Sequence, residues 1–205
     1  MYFDQAVGSL PLESEFLMLF TVRPIGLFAI LFLMFTTVVP ASAQSPQYDL
    51  LKAVDKADLV KINELLRKNV SPDTRRRSDR TPAIVIAAQA ANSAVVKLLL
   101  DNDANPNLSD NRGQTPLMVR ATVGDTNMIK LLLSYGADPN RADIGQETAL
   151  MKAVRGRKFK AAQALIEAGA DPNVQDLTGK TALEYAKISR SRRFVRLLQD
   201  AGATY

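Results

Sequence analysis

Two short segments of the 205-residue sequence contain residue types that bind ions or phosphate in other proteins. The segment Asp101 to Pro106 begins with carboxylate and amide side chains at the spacing of a calcium-binding EF-hand loop. Its sixth position is Pro106, where that loop needs glycine, and its twelfth is Arg112, where it needs a bidentate glutamate. We therefore expect no calcium site there.

The second segment, Gly179 to Thr181, resembles the end of a phosphate-binding loop. That loop requires a glycine five residues before Gly179, and the sequence has Val174 at this position. The segment is therefore not expected to bind a nucleotide.

The sequence contains neither cysteine nor histidine. This absence excludes disulfides, thiolate zinc sites, cysteine nucleophiles and histidine general bases. Carboxylates such as Asp138 and Asp171 recur at a fixed spacing, which assigns them to loops and not to a desolvated catalytic pair. We predict no enzymatic activity, no metal ion and no cofactor.

Basic residues are concentrated at Arg75, Arg76, Arg77 and Arg80, in a chain whose net charge is +5. Such a cluster is either a solvated surface or a site for an anionic partner, and arginine suits bidentate capture of carboxylates. No aromatic residue lies between these arginines to stack on bases, so we expect no nucleic-acid binding.

The most apolar stretch, Ile25 to Val39, contains no charged residue. A helix of this length would span about 22 Å, which is shorter than the hydrocarbon core of a bilayer at roughly 30 Å. Pro40 follows, and Ala41 to Ala43 suits a signal peptidase. We predict that residues 1–43 are a signal peptide cleaved before Gln44, with Met18 as an alternative start of translation. An uncleaved inner-membrane anchor is the other interpretation.

Three series of residues recur at a spacing of 33 or 34 along the rest of the chain. They are Pro72, Pro106, Pro139 and Pro172; Thr81, Thr115, Thr148 and Thr181; and Asn69, Asp103, Gly136, Gly169 and Gly202. The last series consists of residue types that tolerate a left-handed backbone and therefore predicts helix C-terminal caps. Threonine followed by proline, as at Thr115, predicts the N-cap of the next helix. Two short helical patterns lie between each threonine and the next cap.

The segment Gly113 to Asn140 resembles the ankyrin repeat almost position by position, and residues 145–173 and 179–203 repeat the pattern. The resemblance implies an all-α solenoid of stacked antiparallel helix pairs with projecting loops or β-hairpin fingers. We predict a domain over residues 44–205 with about five repeats. Their ranges are 47–75, 76–109, 110–142, 143–175 and 176–205.

Some positions depart from the family pattern. Met118, Met151 and Glu184 replace the usual histidine, so packing must substitute for its polar contacts. Arg157 occupies the usual glycine position between two helices. One extra residue near Thr81 predicts an irregular start of the first helix in the second repeat.

The resemblance also implies that partners bind a concave surface formed by the fingers and the first helices. Transferring the family's contact positions onto this sequence gives Arg77, Arg80, Asn111, Arg112, Gln114, Ile144, Glu147, Leu177 and Lys180 from the fingers, and Arg155 from a first helix. Ile144 and Leu177 either pack against adjacent fingers or anchor a partner.

The leading hypothesis is an exported, periplasmic, monomeric ankyrin-repeat protein that binds a protein partner with an acidic surface. The basic charge also predicts weak association with anionic membranes. Two alternatives remain open, which are an inner-membrane-tethered structural adapter and an inhibitor or immunity factor for an envelope enzyme.

Overall fold

A computed structural model describes residues 45–204, and the predicted signal peptide lies outside this range. The described residues form ten helices in five pairs. The helices are α1 (Pro46–Asp55), α2 (Leu59–Arg67), α3 (Ala83–Gln89), α4 (Ser93–Leu100), α5 (Pro116–Val123), α6 (Thr126–Ser134), α7 (Ala149–Arg155), α8 (Phe159–Glu167), α9 (Ala182–Ile188) and α10 (Arg192–Asp200). Within residues 45–204, none of these helices has the length and apolarity needed to cross a bilayer.

The helix pairs stack in a row. Each odd-numbered helix packs against its even-numbered partner and against the next odd-numbered helix along the chain, and α2 packs on α4 as α6 packs on α8. The prediction of an all-α solenoid is thus confirmed. The fingers between pairs are turns, and the isolated β-bridges found in residues 45–204 are Arg75 with Pro82 and Ala142 with Thr148.

Side-chain caps explain where most helices begin. The hydroxyl of Thr115 accepts a hydrogen bond from the backbone N–H of Met118, and Thr148 and Thr181 cap α7 and α9 in the same way. The predicted threonine N-caps are therefore confirmed for these three helices. In the second repeat, Pro82 holds the N-cap position and no side chain caps α3. The extra residue nevertheless lies in the finger, because α3 begins 33 residues before α5.

Left-handed residues occur in three periodic series among the described residues. The predicted C-terminal caps are confirmed, with φ between 60° at Asn69 and 86° at Gly202. The turns inside the helix pairs form the second series, which consists of Ala57, Ala91, Gly124, Arg157 and Arg190. The fingertips form the third, which consists of Arg80, Gly113, Gln146 and Gly179. The chain direction therefore reverses at equivalent points in every repeat.

The core is one continuous strip of apolar side chains between the helix layers. Met118 and Met151, which replace the family's histidine, are both only 1% exposed and contribute packing in its place. Glu184 instead forms a capping box, since its carboxylate accepts a hydrogen bond from the Thr181 N–H at 2.7 Å. The departures at these positions therefore have two different structural solutions.

An asparagine ladder joins the loops of successive repeats. The side-chain oxygen of Asn140 accepts a hydrogen bond from the Asp171 N–H at 2.7 Å, and its Nδ2 donates to the Gly169 carbonyl at 3.1 Å. Asn107 and Asn173 make the same pair of contacts one repeat before and after. These bonds fix the spacing of the repeats on the loop side of the stack.

Candidate protein-binding surface

An aspartate organises three of the four fingers. One carboxylate oxygen of Asp110, Asp143 or Asp176 accepts hydrogen bonds from the backbone N–H groups two and four residues later, at 2.7–3.0 Å. Asp143 and Asp176 are each 7% exposed, so these bonds satisfy nearly buried carboxylates. These bonds close the backbone turn at the tip of each of the three fingers.

The first finger is built differently and is one residue longer. Arg76 stands where the other fingers have aspartate, and its guanidinium pairs with Asp55 at 3.0 Å and Asp79 at 3.5 Å. Asp79 takes over the turn, because its carboxylate accepts a hydrogen bond from the Thr81 N–H at 3.0 Å. The side chains of Arg75 and Arg76 in the predicted basic cluster thus make intramolecular contacts. Arg77 and Arg80 are exposed.

Backbone and side-chain hydrogen bonds connect neighbouring fingers. The Ile144 N–H donates to the Arg112 carbonyl at 3.1 Å, and the Leu177 N–H donates to the Gly145 carbonyl at 3.0 Å. The first finger is joined to the second through Arg75, whose Nη1 donates to the Ser109 carbonyl at 2.9 Å. The four fingertips therefore form one fixed row.

The ends of the odd-numbered helices lie beside this row. Asp55 at the end of α1 pairs with Arg76 of the first finger, and Arg155 at the end of α7 pairs with Glu147 of the third. We call the surface formed by the exposed fingertips and these helix ends the finger face. Its exposed residues include Arg77, Arg80, Asn111, Arg112, Ile144 and Leu177 from the fingertips and Gln89, Thr122, Val123, Arg155 and Ile188 from the helix ends.

Large apolar side chains are exposed on the finger face. Ile144 is 69% exposed and Leu177 is 72% exposed, so their side chains do not pack against adjacent fingers even though their backbones are bonded to them. Val123 and Ile188 are 52% and 64% exposed. Of the two interpretations left open by the sequence, this exposure favours partner anchors.

Gln114, Glu147 and Lys180, which are predicted site residues, make side-chain contacts inside the protein chain. Gln114 donates from Nε2 to the Asp143 carboxylate of the next finger at 2.9 Å. Lys180 donates from Nζ to the Thr178 hydroxyl at 3.0 Å within its own finger. Glu147 accepts from both Lys152 and Arg155. These three side chains bond to other residues of the chain, so they stabilise the finger face and are less available to a partner.

Sequence reasoning missed Lys152, which lies beneath the third finger. Its ammonium group is 2.7 Å from the Asp143 carboxylate and 3.0 Å from Glu147, and the Lys152 side chain is only 10% exposed. A lysine on the first helix of one repeat, between buried apolar positions, was the available signal. Arg155 completes the arrangement, with its guanidinium 5.2 Å from the centre of the Tyr185 ring.

A groove of about 620 Å³ lies between α1 and the first finger. Its lining includes Tyr48, Leu51, Lys52, Arg76 and Arg77. Within residues 45–204, no group of three or more acidic side chains is close enough to hold a metal ion. The groove is therefore lined by basic and apolar side chains.

Comparison with known proteins identifies the repeats. A family model described as ankyrin repeats (3 copies) matches residues 50–143, and another described as ankyrin repeats (many copies) matches residues 132–186. A probable E3 ubiquitin-protein ligase from rice, Oryza sativa subsp. japonica, is 35% identical over 86 residues. This match covers 40% of the chain and only 19% of the length of the ligase.

Proposed function

The chain belongs to the ankyrin-repeat family, whose repeats imply protein–protein interaction, and we propose that it binds a protein partner through the finger face without catalysing a reaction. The observation that carries the proposal is the exposure of Ile144 and Leu177, whose own backbone N–H groups are hydrogen-bonded to the neighbouring fingers. The free energy of binding becomes more favourable when a partner covers apolar side chains that are otherwise in water. A preformed surface also loses little conformational entropy on binding.

Charge on the same face selects the partner. Arg77, Arg80 and Arg112 are exposed, and their side chains make no ion pair with the residues that the structure describes. Free guanidinium groups suit bidentate contacts with carboxylates and accelerate encounter with an acidic surface. We therefore propose a partner with an acidic contact region.

The test is a quantitative pull-down from the native compartment, with partners identified by crosslinking and mass spectrometry. Reversing Arg77, Arg80 and Arg112 to Glu should reduce recovery of the partner at least tenfold. Reversing Arg67, Arg192 and Arg196 on the even-numbered helices is the matched control, because it changes the net charge equally and leaves the finger face intact. Equal recovery with both triple variants would contradict the proposed surface.

We also propose that the chain is exported and acts as a monomer in a periplasm, on the basis of the apolar run and the Ala41 to Ala43 sequence. Cell fractionation and N-terminal sequencing test this proposal. A product that starts at Gln44 in the periplasmic fraction supports it, and a full-length product in the membrane fraction supports a tethered adapter instead. Size-exclusion chromatography with light scattering tests the monomer.

A further inference from the structure

One fingertip position changes its chemistry steadily along the stack. Each finger is closed by a backbone hydrogen bond whose donors are Arg76, Asp110, Asp143 and Asp176 and whose acceptors lie four or five residues later. The residue directly after each donor is the first residue of its fingertip. These residues are Arg77, Asn111, Ile144 and Leu177, and all four are exposed.

The row therefore begins with a cation, continues with a neutral amide and ends with two apolar side chains. Among the neighbouring side chains, Arg155 departs from this order, and its charge is paired with Glu147 of the third finger. Arg80 and Arg112 lie at the basic end, and Ile188 is exposed at the apolar end. A surface with this order is complementary to a ligand that is acidic at one end and apolar at the other.

The spacing of the row defines the spacing required in the ligand. Neighbouring extended segments lie about 4.8 Å apart, and a finger has two arms, so successive fingertips are about 10 Å apart. An extended chain advances about 3.3 Å per residue, so one step of the row corresponds to about three ligand residues. The two steps from Arg77 to Ile144 then correspond to about six residues.

Resting on the proposed function, we infer that the finger face binds an extended protein segment with a fixed polarity. Its acidic residue contacts Arg77, and two apolar residues about three positions apart contact Ile144 and Leu177, about six residues away from the acid. The hydrogen bonds between the fingers keep these contact points at constant separation. The bound ligand is thus a linear motif in a partner protein. The finger face should bind it in preference to a motif with the acidic and apolar residues in the opposite order.

Selection from a random library of twelve-residue peptides displayed on phage tests this inference with the whole chain as bait. The enriched peptides should share an Asp or Glu separated by about six residues from a pair of apolar residues. Selection on Arg77→Glu should replace the acidic residue by Lys or Arg and retain the apolar pair. Selection on the double variant Ile144→Ser, Leu177→Ser should retain the acidic residue and lose the pair.

Synthetic peptides then measure the effect by fluorescence anisotropy. The best selected peptide should bind Arg77→Glu at least tenfold more weakly than the unaltered chain, while Arg192→Glu on α10 should bind it equally well. A peptide of the same composition with its acidic residue moved next to the apolar pair should also bind at least tenfold more weakly. Circular dichroism spectra of the variants verify that each is folded.

Two outcomes separate this inference from the proposed function. Peptides that lose binding to the Ile144→Ser, Leu177→Ser variant but show no preferred acid position would overturn the fixed polarity and leave the finger face as the binding surface. Peptides whose binding survives every fingertip variant would contradict both.

Discussion

Arg120 occupies a position that the other four repeats give to alanine, namely Ala53, Ala87, Ala153 and Ala186. The arginine is only 6% exposed, and its Nε has no hydrogen-bond partner among the described residues. Its Nη2 makes a long contact of 3.5 Å with the Gln89 carbonyl, and Nη1 lies 3.9 Å from Asp125. Burial lowers the pKa of Arg120, which reflects the free-energy cost of placing the charge there.

Replacing this arginine with an apolar residue of similar length should stabilise the protein. We expect Arg120→Met to raise the free energy of unfolding by about 1–3 kcal/mol, because an incompletely paired buried charge is removed without leaving a large cavity. Urea denaturation measures the change. The matched control is Ala153→Met, which introduces the same side chain at the equivalent, fully buried alanine of the fourth repeat and should destabilise by about 1–3 kcal/mol. A loss of stability in Arg120→Met would contradict the prediction.

Asp176 links one fingertip to the stability of the protein at low pH. Burial alone would raise the pKa of this carboxyl, but hydrogen bonds from Tyr185, Thr178 and the Lys180 N–H outweigh burial and hold the pKa below its usual range. A depressed pKa in the folded state contributes stability above the unfolded-state pKa of about 3.9, and this contribution disappears as the pH falls toward the folded-state value. The Tyr185 hydroxyl, which donates to this carboxylate, has a raised pKa for the same reason.

We therefore expect Asp176→Asn to flatten the acid dependence of stability. The free energy of unfolding of the unaltered chain should decline between pH 5 and pH 2, and the variant should decline less over the same interval. Denaturant titrations at a series of pH values measure both slopes. Asp200→Asn is the control, because Asp200 is exposed and weakly paired on α10. Parallel slopes for Asp176→Asn and the unaltered chain would exclude this role.

At the scale of the elements, the turn inside each helix pair requires a left-handed residue. The family's usual glycine remains at Gly124, whereas the equivalent Arg157 adopts φ of 55°. The sequence predicted this equivalence, and the backbone confirms it. A left-handed backbone costs roughly 1–2 kcal/mol for a residue with a Cβ atom, so four of the five turns retain this strain.

Arg157→Gly should consequently stabilise the protein by about 1 kcal/mol. Thermal unfolding followed by circular dichroism measures the shift. Lys130→Gly provides the contrast, since Lys130 lies inside α6 and glycine there should destabilise by about 1 kcal/mol. A decrease in melting temperature for both variants would contradict the strain assigned to the left-handed backbone of Arg157.

The asparagine ladder should contribute to the coupling between repeats. Asn140→Ala removes one acceptor and one donor that join the third repeat to the fourth, and we expect a loss of about 1–2 kcal/mol. Urea denaturation measures it. Asn127→Ala on the exposed side of α6 should change stability by less than about 0.5 kcal/mol. Equal effects of the two substitutions would indicate that water replaces the ladder bonds without cost.

Much of this architecture could be predicted from the sequence, because caps and left-handed turns accept few residue types. Thr115, Pro116 and Gly136 therefore mark their repeat clearly. The roles of Gln114, Glu147 and Lys180 could not be separated from that of Arg77, because all four are polar residues at finger positions. Which of them projects and which bonds to a neighbour depends on contacts with Asp143, Lys152 and Thr178, which the repeat register does not specify.

At the scale of the whole molecule, the helices described in residues 45–204 pack chiefly against those of the adjacent repeats, so a complete unit can be removed. We expect a chain without residues 110–142 to fold into four helix pairs with a lower free energy of unfolding, since Asn107 would take the place of Asn140 in the ladder. Circular dichroism and urea titration test this expectation. A shortened chain without a cooperative transition would mean that the second and fourth repeats cannot pack together.

Because the fingertips form a fixed row, removing a repeat changes the distances between the remaining fingertips. Arg77 and Ile144 would then lie on adjacent fingers, so the distance between their fingertips would be shorter by about 10 Å. A motif read by the shortened chain should carry its acid about three residues closer to its apolar pair. In such a protein, gain or loss of a whole repeat would change the spacing between the acidic and apolar residues of the bound motif by a fixed amount. The residue types recognised at the two ends would stay the same.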